Sequence, residues 1–260
     1  FNLSILEGKI DDSNIKFDYF FKPKNCLKKN VEEYFALLQA GGRILNFDNE
    51  NLIVTIGEFR SRLLSQDLNS INGKIIKINK NNKSIEIISM GHRNPQGLTI
   101  DRDTNLIYSS EHGPKGGDEI NTIDKTKTIQ NYGWPISSYG EHYGNKQKDN
   151  SELYKIAPLF KSHKDYGFIE PTKNFTPSIG VSELILFNMF NQKILVASSM
   201  GNNVSEGDMS LHIYFFDKEN LKKYKSITLN ERIRDMIYLE KNNLIILFLE
   251  STSSIGVIRL

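Results

Sequence analysis

Three pieces of the middle third decide how this chain is read: Gly91-His92-Arg93-Asn94-Pro95-Gln96-Gly97-Leu98, Glu111-His112-Gly113-Pro114-Lys115-Gly116-Gly117-Asp118-Glu119-Ile120-Asn121 and Asn131-Tyr132-Gly133-Trp134-Pro135. Glycine, proline, a guanidinium, carboxylates and aromatic rings crowd into what reads as loops between short apolar runs. That composition is expected on the rim of a β-scaffold, where loops carry binding groups and a rigid frame holds them still.

Outward from this stretch, short runs rich in β-branched and aromatic residues recur: Leu52–Ile56, Ile75–Ile78, Ile85–Ile88, Leu106–Tyr108, Lys193–Val196, Leu211–Phe216 and Leu244–Leu249. Polar turn pieces separate them, among them Asp48–Asn51, Lys80–Lys83, Asp101–Thr104 and Lys241–Asn243. Helical periodicity is scarce, and Val31–Leu38 is the best candidate for a turn or two of helix. Gly140–Asn174 has little strand signal and reads as a long surface excursion, of the kind that often carries function. The repeated turn, apolar strand, gap, apolar strand predicts an all-β fold, and among sandwich, barrel and propeller it favours a β-propeller, whose blades hold about four strands each. No linker divides the chain, so residues 1–260 are expected to form one domain.

Composition narrows the function. With 38% hydrophobic and 25% charged residues the chain is an ordinary globular protein rather than a disordered one. A formal charge of +2 does not suggest nucleic-acid binding, which usually shows a concentrated basic face. Lys22, Lys24, Lys28 and Lys29, and Lys222, Lys223 and Lys225, read as solvated surface. No window approaches the ~18 unbroken apolar residues of a membrane span. Cys26 is the only cysteine, so there is neither an intrachain disulfide nor a cysteine-rich metal site. Phe1-Asn2-Leu3-Ser4 is not the start of a secretory signal, which is expected to be absent or already removed. Sequons such as Asn203-Val204-Ser205 are expected by chance in an asparagine-rich chain.

At these motifs the chain resembles the soluble sugar dehydrogenases that use pyrroloquinoline quinone (PQQ), and more narrowly the aldose sugar dehydrogenase and glucose/sorbosone dehydrogenase group. Gly42-Arg43-Ile44, Thr55-Ile56-Gly57, Gln66-Asp67-Leu68, Gly73-Lys74-Ile75 and Arg232-Ile233-Arg234-Asp235 extend the match along the chain in order and spacing. The resemblance implies a six-bladed β-propeller of which roughly the first two blades would be lacking here, leaving strand edges exposed. It implies oxidation of an aldose to its lactone, with PQQ and Ca²⁺ as cofactors, an external electron acceptor, and a periplasmic or secreted location.

PQQ is an ortho-quinone bearing carboxylates, and arginine offers a planar fork that pairs with them. By resemblance Arg93, Asn94, Ser178, Arg232 and Arg234 would contact the cofactor; in a strand, residues 232 and 234 point to one face. Calcium takes hard oxygen ligands, backbone carbonyls included. The carbonyls of Gly113 and Pro114 would hold the ion beside the quinone, and Asp118, Glu119 and Tyr132 match a second, structural calcium site; the alternative for that trio is an acidic loop without metal. His92 and His112 are expected to be hydrogen-bonded structural residues. The family's catalytic base precedes a Gly-Gly-Arg segment, and here that position holds Gln39, which has no useful proton affinity near neutral pH. Met200 stands where the family offers a lysine, and Gly180-Val181-Ser182 where it often has a proline-serine pair. These departures put turnover in doubt. The alternative is a propeller without catalysis that binds a sugar, a polyanion or a protein partner.

Overall fold

The structure, a computed structural model, describes residues 2–11, 13–27, 38–143, 152–189, 191–201, 208–217 and 220–260. The helix expected at Val31–Leu38 falls outside them except for Leu38, as do Lys28, Lys29 and the Asn203 sequon. A hairpin of β1 (Ile5–Ile10) and β2 (Ile15–Phe21) comes first. The next sheet runs β3 (Gly41–Asn46), β4 (Asn51–Ile56), β5 (Lys74–Asn79), β6 (Ile85–Met90), all antiparallel. Then come β7 (Pro95–Ile100), β8 (Leu106–Glu111) and β9 (Asp118–Asp124). The short β10 (Gln130–Asn131) crosses back to lie parallel to β6, and after α1 (Glu152–Ile156) the strand β11 (Lys173–Phe175) returns to β9. Two meanders follow: β12 (Val181–Met189), β13 (Gln192–Ser199), β14 (Ser210–Asp217) and β15 (Asn220–Thr228), then β16 (Ile233–Leu239), β17 (Leu244–Leu249) and β18 (Ser254–Arg259).

Each of these last four sheets opens on its innermost strand, and the inner strands stand side by side: β3 against β7, β7 against β12, β12 against β16. The sheets are therefore blades round a common axis, a β-propeller. There is no single core, because the apolar layers lie between consecutive blades. Ile53, Ile75 and Ile88 meet Leu98, Ile107 and Ile123; Tyr108 and Ile120 meet Val181, Leu184 and Leu195; Ile185, Ile194 and Val196 meet Ile233, Met236 and Ile245. The hairpin supplies Ile5 and Phe21 against Val54, Ile56 and Ile76. Middle strands are covered on both faces, which is why β4 and β5 read as continuous apolar runs rather than alternations. Burying one such isoleucine contributes roughly 1.5–3 kcal/mol.

The expected turns close these strands. Asp48 Oδ1 accepts from the backbone N–H groups of Glu50 and Asn51, each at 2.8 Å, an Asx-type turn that fixes the β3–β4 corner. The polar central stretch differs from its expectation as loop, since Pro95–Ile100 and Asp118–Asp124 are strands. Proline is tolerated there as the first residue of β7, and Gly97 is required because a Cβ would lie 2.5 Å from the Ser182 carbonyl oxygen. The Gly140–Asn174 excursion is not merely surface: Ala157, Leu159 and His163 are buried, and Phe160 pairs with Ser137. Among the described residues no helix is long and apolar enough to cross a membrane.

Candidate functional site

The β6–β7 connection brings the first site residues together. Gly91 has φ +74°, and a Cβ there would sit 2.2 Å from Asn131 Oδ1, so only glycine lets the two segments touch. His92 follows as a fully buried residue. Its Nδ1 lies 2.8 Å from Glu111 Oε2, its Nε2 lies 2.8 Å from Ser89 Oγ, and its ring stacks on Tyr132. Both ring nitrogens are thus used in holding the fold. Arg93 turns the other way. Its Nη1 donates to the carbonyls of His112 (2.9 Å) and Gly113 (2.7 Å), and its guanidinium lies over the Trp134 ring at 5.4 Å.

Gln39 completes this knot. With its amide set by its neighbours, the oxygen accepts from Arg93 Nη2 and the nitrogen donates to Glu58 Oε1, each at 2.7 Å. Gln39 takes a positive φ of 61°, and its carbonyl comes so close to Gly57 that a Cβ there would be 1.9 Å away. The side chain is therefore placed by a tight backbone crossing as well as by its bonds. Asn94 Oδ1 accepts from the Gly41 N–H (3.1 Å) and from Gln96 Nε2 (2.9 Å), so this residue braces β3 against β7.

The His112–Gly117 turn sits under Arg93. Gly113 is obligatory, since a Cβ would fall 1.7 Å from Gly117 O, and Pro114 O accepts from the Gly117 N–H at 3.0 Å. Ser178 Oγ accepts from the Gly116 N–H at 2.9 Å, which ties β11's outgoing chain to the turn. His112 Nε2 is buried without a hydrogen-bond partner. Burial lowers the His112 pKa; Asp118 opposes this, and Arg93 and Arg234 deepen it. The field of both arginines thus reaches one imidazole. Beside the turn a cleft of about 720 Å³ opens, lined by Lys115, Glu141, Tyr143, Tyr154 and Ser178.

The last blade supplies the remaining cations. Arg234 Nε donates to Glu250 Oε2 at 2.8 Å, Arg232 Nε lies 3.4 Å from Glu250 Oε1, and Arg232 Nη1 donates to the Met200 carbonyl. Two guanidinium groups share one carboxylate, and both hold it below the ordinary carboxylate range against the pull of burial. Met200 itself is buried, and it meets Arg232 through its backbone carbonyl.

The residues matched to a second calcium separate. Asp118 and Glu119 are neighbours in β9, so their side chains leave on opposite faces. Asp118 Oδ2 accepts from the Val181 N–H at 3.1 Å, toward the next blade. Glu119 and the Tyr132 carbonyl do meet, on a residue the sequence reading did not select. His163 Nδ1 donates to Tyr132 O at 2.9 Å, and Nε2 lies 3.4 Å from Glu119 Oε1. Burial works against an imidazolium there, yet Glu119 and Glu170 lift the His163 pKa above its ordinary value. The Tyr132 hydroxyl is spent on Thr122 O at 2.6 Å. Among the described residues no group of three or more His, Cys, Asp or Glu side chains is placed to hold a metal. At the turn, a cation on Gly113 O would share that oxygen with the Arg93 guanidinium.

Sequence reasoning also missed the axis. Arg43 on β3 reaches Glu183 Oε2 on β12 at 2.7 Å, Asp235 Oδ2 on β16 at 2.9 Å and Gln96 O on β7 at 3.0 Å. One arginine thereby joins the inner strands of four blades. Burial pushes the Glu183 carboxyl up to about 8, with Arg43 opposing. The available signal is that Arg43 and Asp235 lie inside the Gly42-Arg43-Ile44 and Arg232-Ile233-Arg234-Asp235 motifs.

Known proteins bear on this geometry. The family model described as Glucose / Sorbosone dehydrogenase matches residues 26–255. The aldose sugar dehydrogenase YliI of Escherichia coli is 31% identical over 183 residues, which is 63% of this chain and 46% of that protein. The chain spans about half the length of such curated relatives, or less. In fold, the apo crystal structure of the soluble E. coli aldose sugar dehydrogenase superposes with TM-score 0.77 at 21% identity, covering 100% of this chain and 74% of that one. The PQQ-bound aldose sugar dehydrogenase of Streptomyces coelicolor gives 0.65 at 20% identity, covering 95% and 65%. With a family match over most of its length and the same propeller, this chain belongs to the glucose/sorbosone dehydrogenase family.

Proposed function

We propose that this chain binds PQQ over the His112–Gly117 turn and acts on an aldose, oxidising it to the lactone. The observation that carries this reading is that Arg232 and Arg234, at the start of inner strand β16, share the Glu250 carboxylate, while Arg93, just before inner strand β7, is bonded to the His112–Gly117 turn. Planar guanidinium donors suit a carboxylate-bearing cofactor. Arg232 and Arg234 would hand their bonds from Glu250 to the ligand, Asn94 would keep β3 and β7 in register below it, and the Ser178 hydroxyl would fix the turn. When bound, PQQ supplies a quinone that accepts hydride. The cleft beside Ser178, walled by Tyr143 and Tyr154, has the size and mixed polarity of a small-molecule site. The same reading puts the protein in the periplasm or outside the cell, passing electrons to an external acceptor. Ca²⁺ at Gly113 and Pro114 would require Arg93 to leave the Gly113 carbonyl, and cofactor capture is expected to rest on the arginines.

A second reading, a cofactor-holding protein without turnover, is favoured by Gln39. Its amide is engaged on both sides and cannot take a proton, whereas a general base contributes about 10²–10⁴-fold. PQQ titration followed by sugar-dependent dye reduction on the same sample separates the readings. Binding with turnover supports the first and binding without turnover the second; absence of binding removes both and leaves a propeller for a sugar, polyanion or protein. Gln39→His is expected to raise dye reduction by about 10²-fold or more. A variant that binds PQQ yet stays inert would show that more than the base is missing.

A further inference from the structure

Two oxygens stand where the resemblance puts a structural cation, the Glu119 carboxylate and the Tyr132 carbonyl, and an imidazole lies between them. His163 is 1% exposed. Its Nδ1 donates to Tyr132 O at 2.9 Å; its Nε2 sits 3.4 Å from Glu119 Oε1, an ion-pair contact without hydrogen-bond geometry. The ring is delivered by a braced turn. Glu170 Oε1 accepts from the N–H groups of His163 and Lys164, each at 2.9 Å, and Glu170 Oε2 accepts from the Tyr139 hydroxyl at 2.7 Å. The Ile169 N–H donates to Asn131 O at 2.9 Å, which fastens the far end of that turn beside Tyr132 itself.

Little space is left. The cavity bounded by Glu111, Glu119, Tyr132, Trp134 and His163 measures about 10 Å³. That is the lower limit for one water, so the space cannot admit the several water ligands that a calcium ion held by only these two protein oxygens would need to reach six to eight. Asp118 cannot complete such a shell, because it leaves β9 on the other face and is bonded to Val181. The residues present do not fit a calcium ion at this position.

We propose that His163 replaces the metal: its ring pins β9 to the Tyr132 backbone and holds the floor beneath the Arg93–Gly113 turn without any ion. A divalent cation would link a carboxylate to a carbonyl by attracting both oxygens. A rigid ring with nitrogens on two sides makes the same link from within the chain. This holds whether or not the rim binds PQQ, so its test and that of the proposed function fail separately.

The experiment is thermal unfolding of the full chain in excess EDTA and in excess CaCl₂, comparing wild type with Glu119→Gln, His163→Gly and His163→Asp. Any calcium-dependent gain in Tm shown by wild type is expected to survive Glu119→Gln unchanged. His163→Gly is expected to lose at least about 4 °C in EDTA. His163→Asp sets a second carboxylate beside Glu119 and Tyr132 O; it is expected to lose Tm in EDTA and regain it with CaCl₂ but not MgCl₂. A wild-type calcium gain abolished by Glu119→Gln would overturn the proposal by placing an ion on Glu119. So would His163→Gly at wild-type Tm, since a link removed without loss replaces nothing, or a His163→Asp loss that calcium leaves untouched. If neither His163 variant folds, wild type and Glu119→Gln still decide.

Discussion

Arg93, just before β7, and the Arg232–Arg234 pair, at the start of β16, are held in opposite ways. Arg93 is 8% exposed and donates to two backbone carbonyls and to the Gln39 amide, over the Trp134 ring. The side chains of Arg232 and Arg234 are 32% and 51% exposed and both meet the Glu250 carboxylate, Arg232 donating also to the Met200 carbonyl. A buried guanidinium with its hydrogen bonds satisfied is part of the architecture, and moving it strands its acceptors. An exposed one sharing an acceptor loses little by changing partner. The difference teaches that charge of one sign is not all equally available: Arg234, half exposed, can change partner at little cost, and Arg93 at the β6–β7 corner is fixed.

The harshest way to break this contrast is Arg93→Ala. It leaves the His112 and Gly113 carbonyls and the Gln39 amide without their donor, and the expected loss is about 3–5 kcal/mol of stability in urea unfolding. A loss no larger than that of Arg234→Ala would end the distinction. Burial without compensation is the next case. His212 lies on β14 with its Nδ1 3.0 Å from Ser226 Oγ and its Nε2 buried without a partner; burial, helped by Lys223, lowers its pKa to about 4. Between pH 6.5 and about 4 the unfolded chain therefore takes up a proton that the folded chain refuses, and stability falls as pH falls through that window. Relative to wild type, His212→Asn should gain about 2–3 kcal/mol on going from neutral pH to pH 4, read from paired denaturant curves; parallel pH profiles would refute it. The mildest change is Arg234→Ala, with less than about 1 kcal/mol of stability lost. Its PQQ affinity should nevertheless fall by about tenfold or more, measured by titration. Unchanged affinity would move the cofactor off the last blade.

Legibility followed burial. Middle strands β4 and β5 are plain in the sequence because both faces are covered and their residues run apolar and β-branched; β17 is plain from its apolar run, although only alternate residues are buried. β15 escaped because it is an outer edge strand exposed along most of its length, and Lys222, Lys223 and Lys225 erase the apolar pattern. β7 and β9 escaped because glycine, proline and carboxylates, recruited for the rim, look like loop. Glu119 and Tyr132 were found through a short contiguous motif, whereas His163, which joins them, lies 31 residues beyond Tyr132 in a stretch with no local signal.

By itself the sequence determined the succession of turns and strands, the all-β class, the family, and the glutamine at position 39, because these depend on residue type and near neighbours. Only the tertiary structure decided that Arg43 meets Asp235 across 192 residues, that Arg93 closes on Gly113, that Asp118 parts from Glu119, and that His163 lies between Glu119 and Tyr132. The blades bring such residues together by packing their faces round an axis, and a contact made by packing leaves no period or spacing in the chain that makes it.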